Sequence, residues 1–155
     1  MRFRPRARAV RNGIVTGLLI TMLGAVNDAR AASAGPQAGS SWLLWGGLFG
    51  FDLLLFAGAG YATTRRAGTL MMGGLTGSLA GFIGGIGFAV TSALFVALAV
   101  HAQMNSLLVT AGVSALYGVF FVAPVGTGLG ALLGMLGACV GITYRRASAA
   151  RGGEA

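Results

Sequence analysis

Long apolar stretches, separated by short polar or charged breaks, follow one another along almost the whole chain. A transmembrane α-helix needs roughly 20 predominantly apolar residues, so this pattern predicts an all-α membrane protein. A basic tail, residues 1–8, precedes a single helical domain, residues 9–144, and a second basic tail, residues 145–155, follows it. We predict four spans, over residues 9–28, 42–62, 68–100 and 107–144.

The first span has the shortest apolar centre, Gly13–Val26, so Arg11 must extend its guanidinium towards the membrane surface. The same segment resembles a signal peptide, with a candidate cleavage site after Ala34. The long basic start, Asp28 and Arg30 favour an uncleaved anchor, and either outcome leaves the later spans with the same orientation.

The last two apolar runs are each longer than one crossing needs and short for two crossings with a turn. Pro124 removes a backbone donor in the fourth run, so we expect the helix to be kinked or interrupted there. An alternative with six spans folds both runs as hairpins, at Gly84–Gly87 and at Pro124–Gly128.

The arginines decide between span counts, because cytoplasmic segments of membrane proteins carry an excess of basic residues. Four spans place three arginine clusters in the cytoplasm together with both termini. A single extra hairpin in the fourth run would put the C-terminal arginines outside, whereas six spans preserve the orientation. The clusters contain Arg2, Arg4, Arg6, Arg8 and Arg11, then Arg65 and Arg66, then Arg145, Arg146 and Arg151.

Composition and aromatic placement agree with this topology. The chain is 55% hydrophobic and 9% charged, with 28 glycines and a mean hydropathy of +0.80, a mixture that one water-soluble core could not hide. The net charge of +8 lies in clusters beside apolar runs, so we expect no nucleic-acid partner. We expect interface anchors at Trp42 and Trp45 on the outer side, and at Tyr61 and Tyr144 on the inner side.

Glycines repeat every fourth residue in two of the predicted spans. This spacing keeps them on one helix face, where a neighbouring backbone can approach closely, and it predicts glycine-zipper packing. Sequence spacing does not say whether the partner helix belongs to the same chain or to a second copy. The series are Gly73, Gly77, Gly81 and Gly85, and then Gly126, Gly130 and Gly134.

Asp52 is the acid within the apolar part of a span, near the predicted bilayer midplane, where it costs roughly 3 kcal/mol on insertion scales. It is a candidate proton or cation site. The alternative is a protonated, structural acid bonded to a neighbouring hydroxyl or backbone carbonyl, and the candidate partners are Thr76, Ser78, Tyr117 and Thr127. If the glycines of its own span form an intersubunit contact, Asp52 faces the protomer interior. If those glycines pack inside the protomer, it faces another subunit.

Other chemistry has no support in the sequence. One His, one Cys and three acids, far apart along the chain, predict neither a metal site nor a catalytic triad, and we expect no cofactor. The N-terminal arginines are expected to attract anionic lipid headgroups at the cytoplasmic face.

The order of basic tail, two spans divided by Arg65-Arg66, and two Gly-rich runs ending at Arg145-Arg146 resembles small, functionally uncharacterised Gly/Ala-rich bacterial membrane proteins with four spans. The resemblance implies an architecture and no activity. The leading interpretation is a non-enzymatic inner-membrane bundle with a structural or accessory role that forms homo-oligomers. The alternatives are a small proton- or cation-coupled transporter or channel using Asp52, and a holin-like membrane-perturbing protein.

Overall fold

The computed structural model of the chain describes residues 4–34, 42–99, 112–113 and 115–152. All of these except Gly68 and Thr69 are helical, so the prediction of an all-α protein is confirmed. The helices are α1 (Arg4–Ala34), α2 (Trp42–Ala67), α3 (Leu70–Ala99) and α4 (Ala123–Gly152). A π-helical turn, Gly118–Val122, directly precedes α4.

Three helical segments are long and apolar enough to cross a membrane, which supports a multi-pass membrane protein. They are Arg6–Arg30, Leu70–Phe95 and Ala115–Ala150, of 25, 26 and 36 residues. The second helix, α2, is not one of the three. The helices α1 and α2 also extend several residues beyond the predicted boundaries of their spans.

Hydrogen bonds between helices define how the bundle is arranged. Asn12 near the start of α1 bonds Thr63 near the end of α2, and Thr63 bonds Thr76 near the start of α3. Thr64 donates to the carbonyl of Ala138 in the second half of α4. The start of α1, the end of α2, the start of α3 and the end of α4 therefore lie at one end of the bundle, which we call the arginine end because the described arginines of all three clusters lie there.

A turn of two residues, Gly68 and Thr69, joins α2 to α3 at this end. The N–H of Met72 donates to the carbonyl of Thr69 over 2.9 Å, which satisfies one of the free donors at the start of α3. A connection this short makes α2 and α3 antiparallel neighbours.

The structure shows how the chain passes through both long runs. Gly84–Gly87 lies inside α3 and Pro124–Gly128 inside α4, so neither hairpin of the six-span alternative forms. At Pro124 the chain stays helical, but regular α-helical hydrogen bonding is interrupted in the turn before it. That turn widens, and the N–H of Ala123 donates to the carbonyl of Gly118, five residues back. The wider turn makes room for the proline ring, which would clash with the carbonyl four residues earlier in a regular α-helix.

The packing is inverted relative to a water-soluble protein. Apart from Phe56, the buried apolar residues of the described chain are small, whereas large apolar side chains such as Leu54, Phe120 and Val140 point outward. In lipid, helices associate through close contact of small residues and leave large apolar groups for the acyl chains. The interior alanines are Ala9, Ala59, Ala80, Ala89, Ala123 and Ala138.

Candidate functional site

The two glycine series lie against each other within one chain, along the antiparallel pair of α3 and α4. A Cβ atom added to Gly77 would overlap the carbonyl oxygen of Gly130, and one added to Gly81 would overlap that of Gly126. Gly73 contacts Gly134 in the same way, and Gly85 lies against the backbone of Ala123. The structure thus brings together all seven glycines that the sequence analysis selected for helix packing.

The parallel pair of α1 and α3 also approaches closely at glycines. A Cβ on Gly13 would lie 2.9 Å from the carbonyl oxygen of Thr76. Gly17 lies against Ile83, and Gly87 lies against the side chain of Thr21. These contacts place α3 between α1 and α4.

The glycines of α2 behave differently along its length. Gly60, near the arginine end, lies against the backbone of Gly134 in α4. A Cβ on Gly46, Gly47, Gly50 or Gly58 would meet no described atom within 4 Å. Within the described part of the chain, that face of α2 has no partner.

A cluster of polar side chains joins three helices near the arginine end. The hydroxyls of Thr63 and Thr76 are 3.1 Å apart, and the amide of Asn12 donates to Thr63 over 3.1 Å. Thr63 and Thr76 are buried, and each also reaches a carbonyl of its own helix, over 2.8 Å. The roles of Asn12 and Thr63 were not predicted from the sequence, although two adjacent threonines, Thr63 and Thr64, at the end of an apolar run were an available signal.

Asp52 faces a cavity of about 260 Å³ near the middle of the bundle. The carboxylate is the only charged group among the described residues that line it, and Tyr117 is the other polar side chain there. The structure therefore places Asp52 towards the protomer interior, while glycines of the same helix point outward. The remaining lining residues named by helix are Ile20 and Gly24 of α1, Phe49, Leu53 and Phe56 of α2, Gly81, Gly84, Gly85 and Phe88 of α3, and Phe121, Val122, Val125, Gly126 and Leu129 in or before α4.

None of the hydroxyls considered as partners bonds to Asp52 in the described part of the chain. Thr76 donates to the carbonyl of Met72, and Thr127 donates to that of Ala123. Tyr117 lines the cavity but stacks on Phe121, with ring centroids 5.1 Å apart. The other described acid, Asp28, contrasts with Asp52, because its carboxylate accepts a hydrogen bond from Ser92 over 3.0 Å.

A second cavity, of about 290 Å³, opens at the arginine end between α1 and α2. Arg8, Arg11 and Asn12 line it from α1, and Tyr61, Ala62 and Arg65 line it from α2. The guanidinium of Arg65 lies 6.0 Å from the ring centroid of Tyr61 and 5.5 Å from that of Tyr144, within the range of a cation–π interaction. We call this cavity the basic pocket.

The remaining predicted residues are placed as follows. Arg6, Arg145 and Arg146 are exposed at the arginine end, and Tyr61 packs edge-on against Tyr144 with centroids 6.5 Å apart. Arg2 lies outside the described residues. So do the side chains of Arg4, Trp42, Trp45, Arg66 and Arg151.

No protein-family model, curated protein or solved structure matches this chain. Among the described residues, no group of three His, Cys, Asp or Glu side chains is close enough together to hold a metal ion.

Proposed function

We propose that the chain is a four-span integral protein of the bacterial inner membrane that acts as a structural or accessory bundle without enzymatic activity. The observation that carries this proposal is the inverted packing, with glycine and alanine backbones in contact inside and large apolar side chains outside. The small-residue interior favours helix assembly in lipid over a catalytic cavity.

The fourth span in this proposal is α2. Its 26 residues extend about 39 Å at 1.5 Å per residue, which exceeds the roughly 30 Å of a bilayer core. It packs beside α4, with Gly60 against Gly134 and Thr64 bonded to Ala138. A helix packed this closely beside a spanning helix, with Phe51 and Leu54 exposed, crosses the same layer.

The arginine end faces the cytoplasm in this arrangement, since basic residues concentrate on the cytoplasmic side. The outward glycines of α2, Gly46, Gly47, Gly50 and Gly58, support assembly into a homo-oligomer, because a thin helix face allows a second backbone to approach. Asp52 then lies inside each protomer, away from that contact.

Cysteine labelling in intact cells tests the topology. In a Cys139→Ser background, we expect Gln103→Cys to react with a membrane-impermeant maleimide from outside. We expect Ser148→Cys, at an exposed position beyond Arg146, to react only after the cells are permeabilised. Labelling of both positions from the same side would contradict four spans, and recovery of the protein in the soluble fraction without detergent would contradict the membrane proposal itself.

A second candidate function is proton or cation transport, and the observation that favours it is Asp52. An ionisable group inside a membrane protein is costly and commonly marks an ion pathway. Here it lines a cavity bounded by all four helices and has no hydrogen-bond partner in the described part of the chain. A carboxylate held for structural reasons alone would be expected to have one.

Flux measurements in proteoliposomes separate the candidates. We expect no proton or cation flux above that of protein-free vesicles from either the wild type or Asp52→Asn if the role is structural. Flux in the wild type that disappears in Asp52→Asn would replace the structural proposal with transport. A leak that persists in Asp52→Asn would support the holin-like alternative. Asp28→Asn is the matched control, because it neutralises an acid that does not line the cavity.

A further inference from the structure

We propose that the basic pocket binds the phosphate of an anionic phospholipid from the cytoplasmic leaflet. This inference rests on the proposed membrane orientation, because that orientation places the arginine end at the headgroup level. It is independent of whether Asp52 carries ions.

The charge of the pocket indicates an anionic ligand. The basic pocket has a volume of about 290 Å³ and is lined by three arginines, Arg8, Arg11 and Arg65. No acidic residue is among its lining residues. The two described acids, Asp28 and Asp52, lie in the second half of α1 and the first half of α2, away from this end. Arginine presents a planar fork of donors that matches phosphate oxygens, so a phosphate fits this group of side chains well.

Uncharged groups, an amide and two tyrosine rings, hold the pocket in place. The amide of Asn12, which lines the pocket, is fixed by its hydrogen bond to Thr63, and this bond connects α1 to α2. The Arg65 side chain lies over Tyr61 and Tyr144, which limits its rotation. Arg65 is thereby oriented at the pocket before a ligand arrives, and the Asn12–Thr63 bond keeps the helix that carries Arg8 and Arg11 beside it, which lowers the entropic cost of binding.

The apolar surface next to the pocket favours a phospholipid over a free phosphate as its ligand. On α1, the face that carries Arg8 and Arg11 continues, at helical spacing, with Val15, Leu18 and Met22, and all three are more than half exposed. On α2, the face that carries Arg65 continues with Gly58 and Leu54. Gly58 is open, and Leu54 is 69% exposed. Apolar strips leading from a cationic pocket towards the membrane interior fit acyl chains attached to a phosphate headgroup.

The test compares two variants with the same loss of charge. Arg11→Gln/Arg65→Gln removes two arginines from the pocket, whereas Arg145→Gln/Arg146→Gln removes two from the same end outside it. The purified full-length proteins in nonionic detergent are titrated with phosphatidylglycerol, phosphatidylcholine or inorganic phosphate, and binding is followed by native mass spectrometry. We expect the pocket variant to bind phosphatidylglycerol at least about tenfold more weakly than the control variant. We also expect wild type to prefer phosphatidylglycerol over both other ligands.

A third variant keeps the net charge constant and guards against misfolding. Ala62→Phe places a large side chain at an exposed position that lines the pocket, and we expect it to weaken phosphatidylglycerol binding while the helical content is unchanged. If the two double-arginine variants lose the same amount of phosphatidylglycerol affinity, net charge alone explains the binding and the proposal is overturned. Equal binding of phosphatidylcholine would do the same, and inorganic phosphate binding as tight as that of phosphatidylglycerol would indicate a soluble ligand. Labelling at Gln103→Cys and Ser148→Cys in each variant separates these results from a failure of the membrane topology.

Discussion

Replacing Gly130 with alanine is expected to lower the free energy of unfolding in mixed micelles by about 3 kcal/mol, at the upper end of the usual cost of overpacking. The added methyl group would overlap the carbonyl oxygen of Gly77. This oxygen belongs to a helix backbone and cannot rotate away as a side chain would. Relief requires α3 and α4 to separate, which weakens the contacts at Gly73, Gly81 and Gly85 along the same line. Titration with sodium dodecyl sulfate, followed by circular dichroism, measures the change.

The matched control is Gly128→Ala, two residues away on the same helix. A Cβ at Gly128 would meet no described atom within 4 Å, so we expect no loss of stability and a gain of at most about 1 kcal/mol from the higher helix propensity of alanine. Similar stabilities for the two variants would show that α3 and α4 do not approach at backbone distance. Strong destabilisation by Gly128→Ala alone would instead locate the important contact on the outer face of α4, between protomers.

Replacing Asp52 with leucine is expected to improve membrane insertion of α2 by about 3 to 4 kcal/mol, the difference between an acid and a leucine at the centre of a span. The carboxylate has no bond in the described part of the chain that offsets this cost, and the cavity of about 260 Å³ beside it has space for an apolar side chain. The fraction of molecules that insert α2 can be measured with glycosylation sites on both sides of the segment. Full-length stability is followed by the same detergent titration.

Asp28→Leu is the control for this change. Asp28 accepts a hydrogen bond from Ser92 and lies near the end of α1, where a charge costs less than at the centre of a span, so we expect a gain below about 1 kcal/mol. Loss of stability in Asp52→Leu would contradict our account and would mean that Asp52 is bonded in the assembled protein. If Asp52→Leu is more stable and has also lost ion flux, the protein keeps Asp52 for transport although the carboxylate lowers its stability.

Local sequence patterns were sufficient to predict the helices, but they did not predict how the helix passes Pro124. The apolar runs predicted helices because hydrophobic length depends only on neighbouring residues. The disturbance predicted at Pro124 takes the form of a change in helix type and not of an end to the helix, because the effect of a proline depends on whether the preceding turn can widen. Here Gly118–Val122 adopts a π-helical turn, and α4 continues through the position.

For the candidate sites, too, the sequence identified single residues but not the neighbours that surround them. The sequence selected Asp52 because an acid in an apolar run is conspicuous, and it left open which neighbours the carboxylate faces. The basic pocket could not be foreseen, because Arg11 and Arg65 are distant in sequence and meet only when α1 packs beside α2. The same is true of Asn12 and Thr63, whose hydrogen bond depends on the register between those helices.

The sequence by itself determined that the protein is helical and apolar enough for lipid, and that its arginines occur at three points separated by such helices. These properties follow from composition and from periodicity along one segment. The tertiary structure decided which glycine face meets which, that Gly77 and Gly130 pair within one chain, and that Asp52 points inward. These contacts depend on how segments that are far apart in the sequence pack together. Several arrangements of the same helices satisfy the hydrophobic pattern equally well, so the pattern alone does not select one.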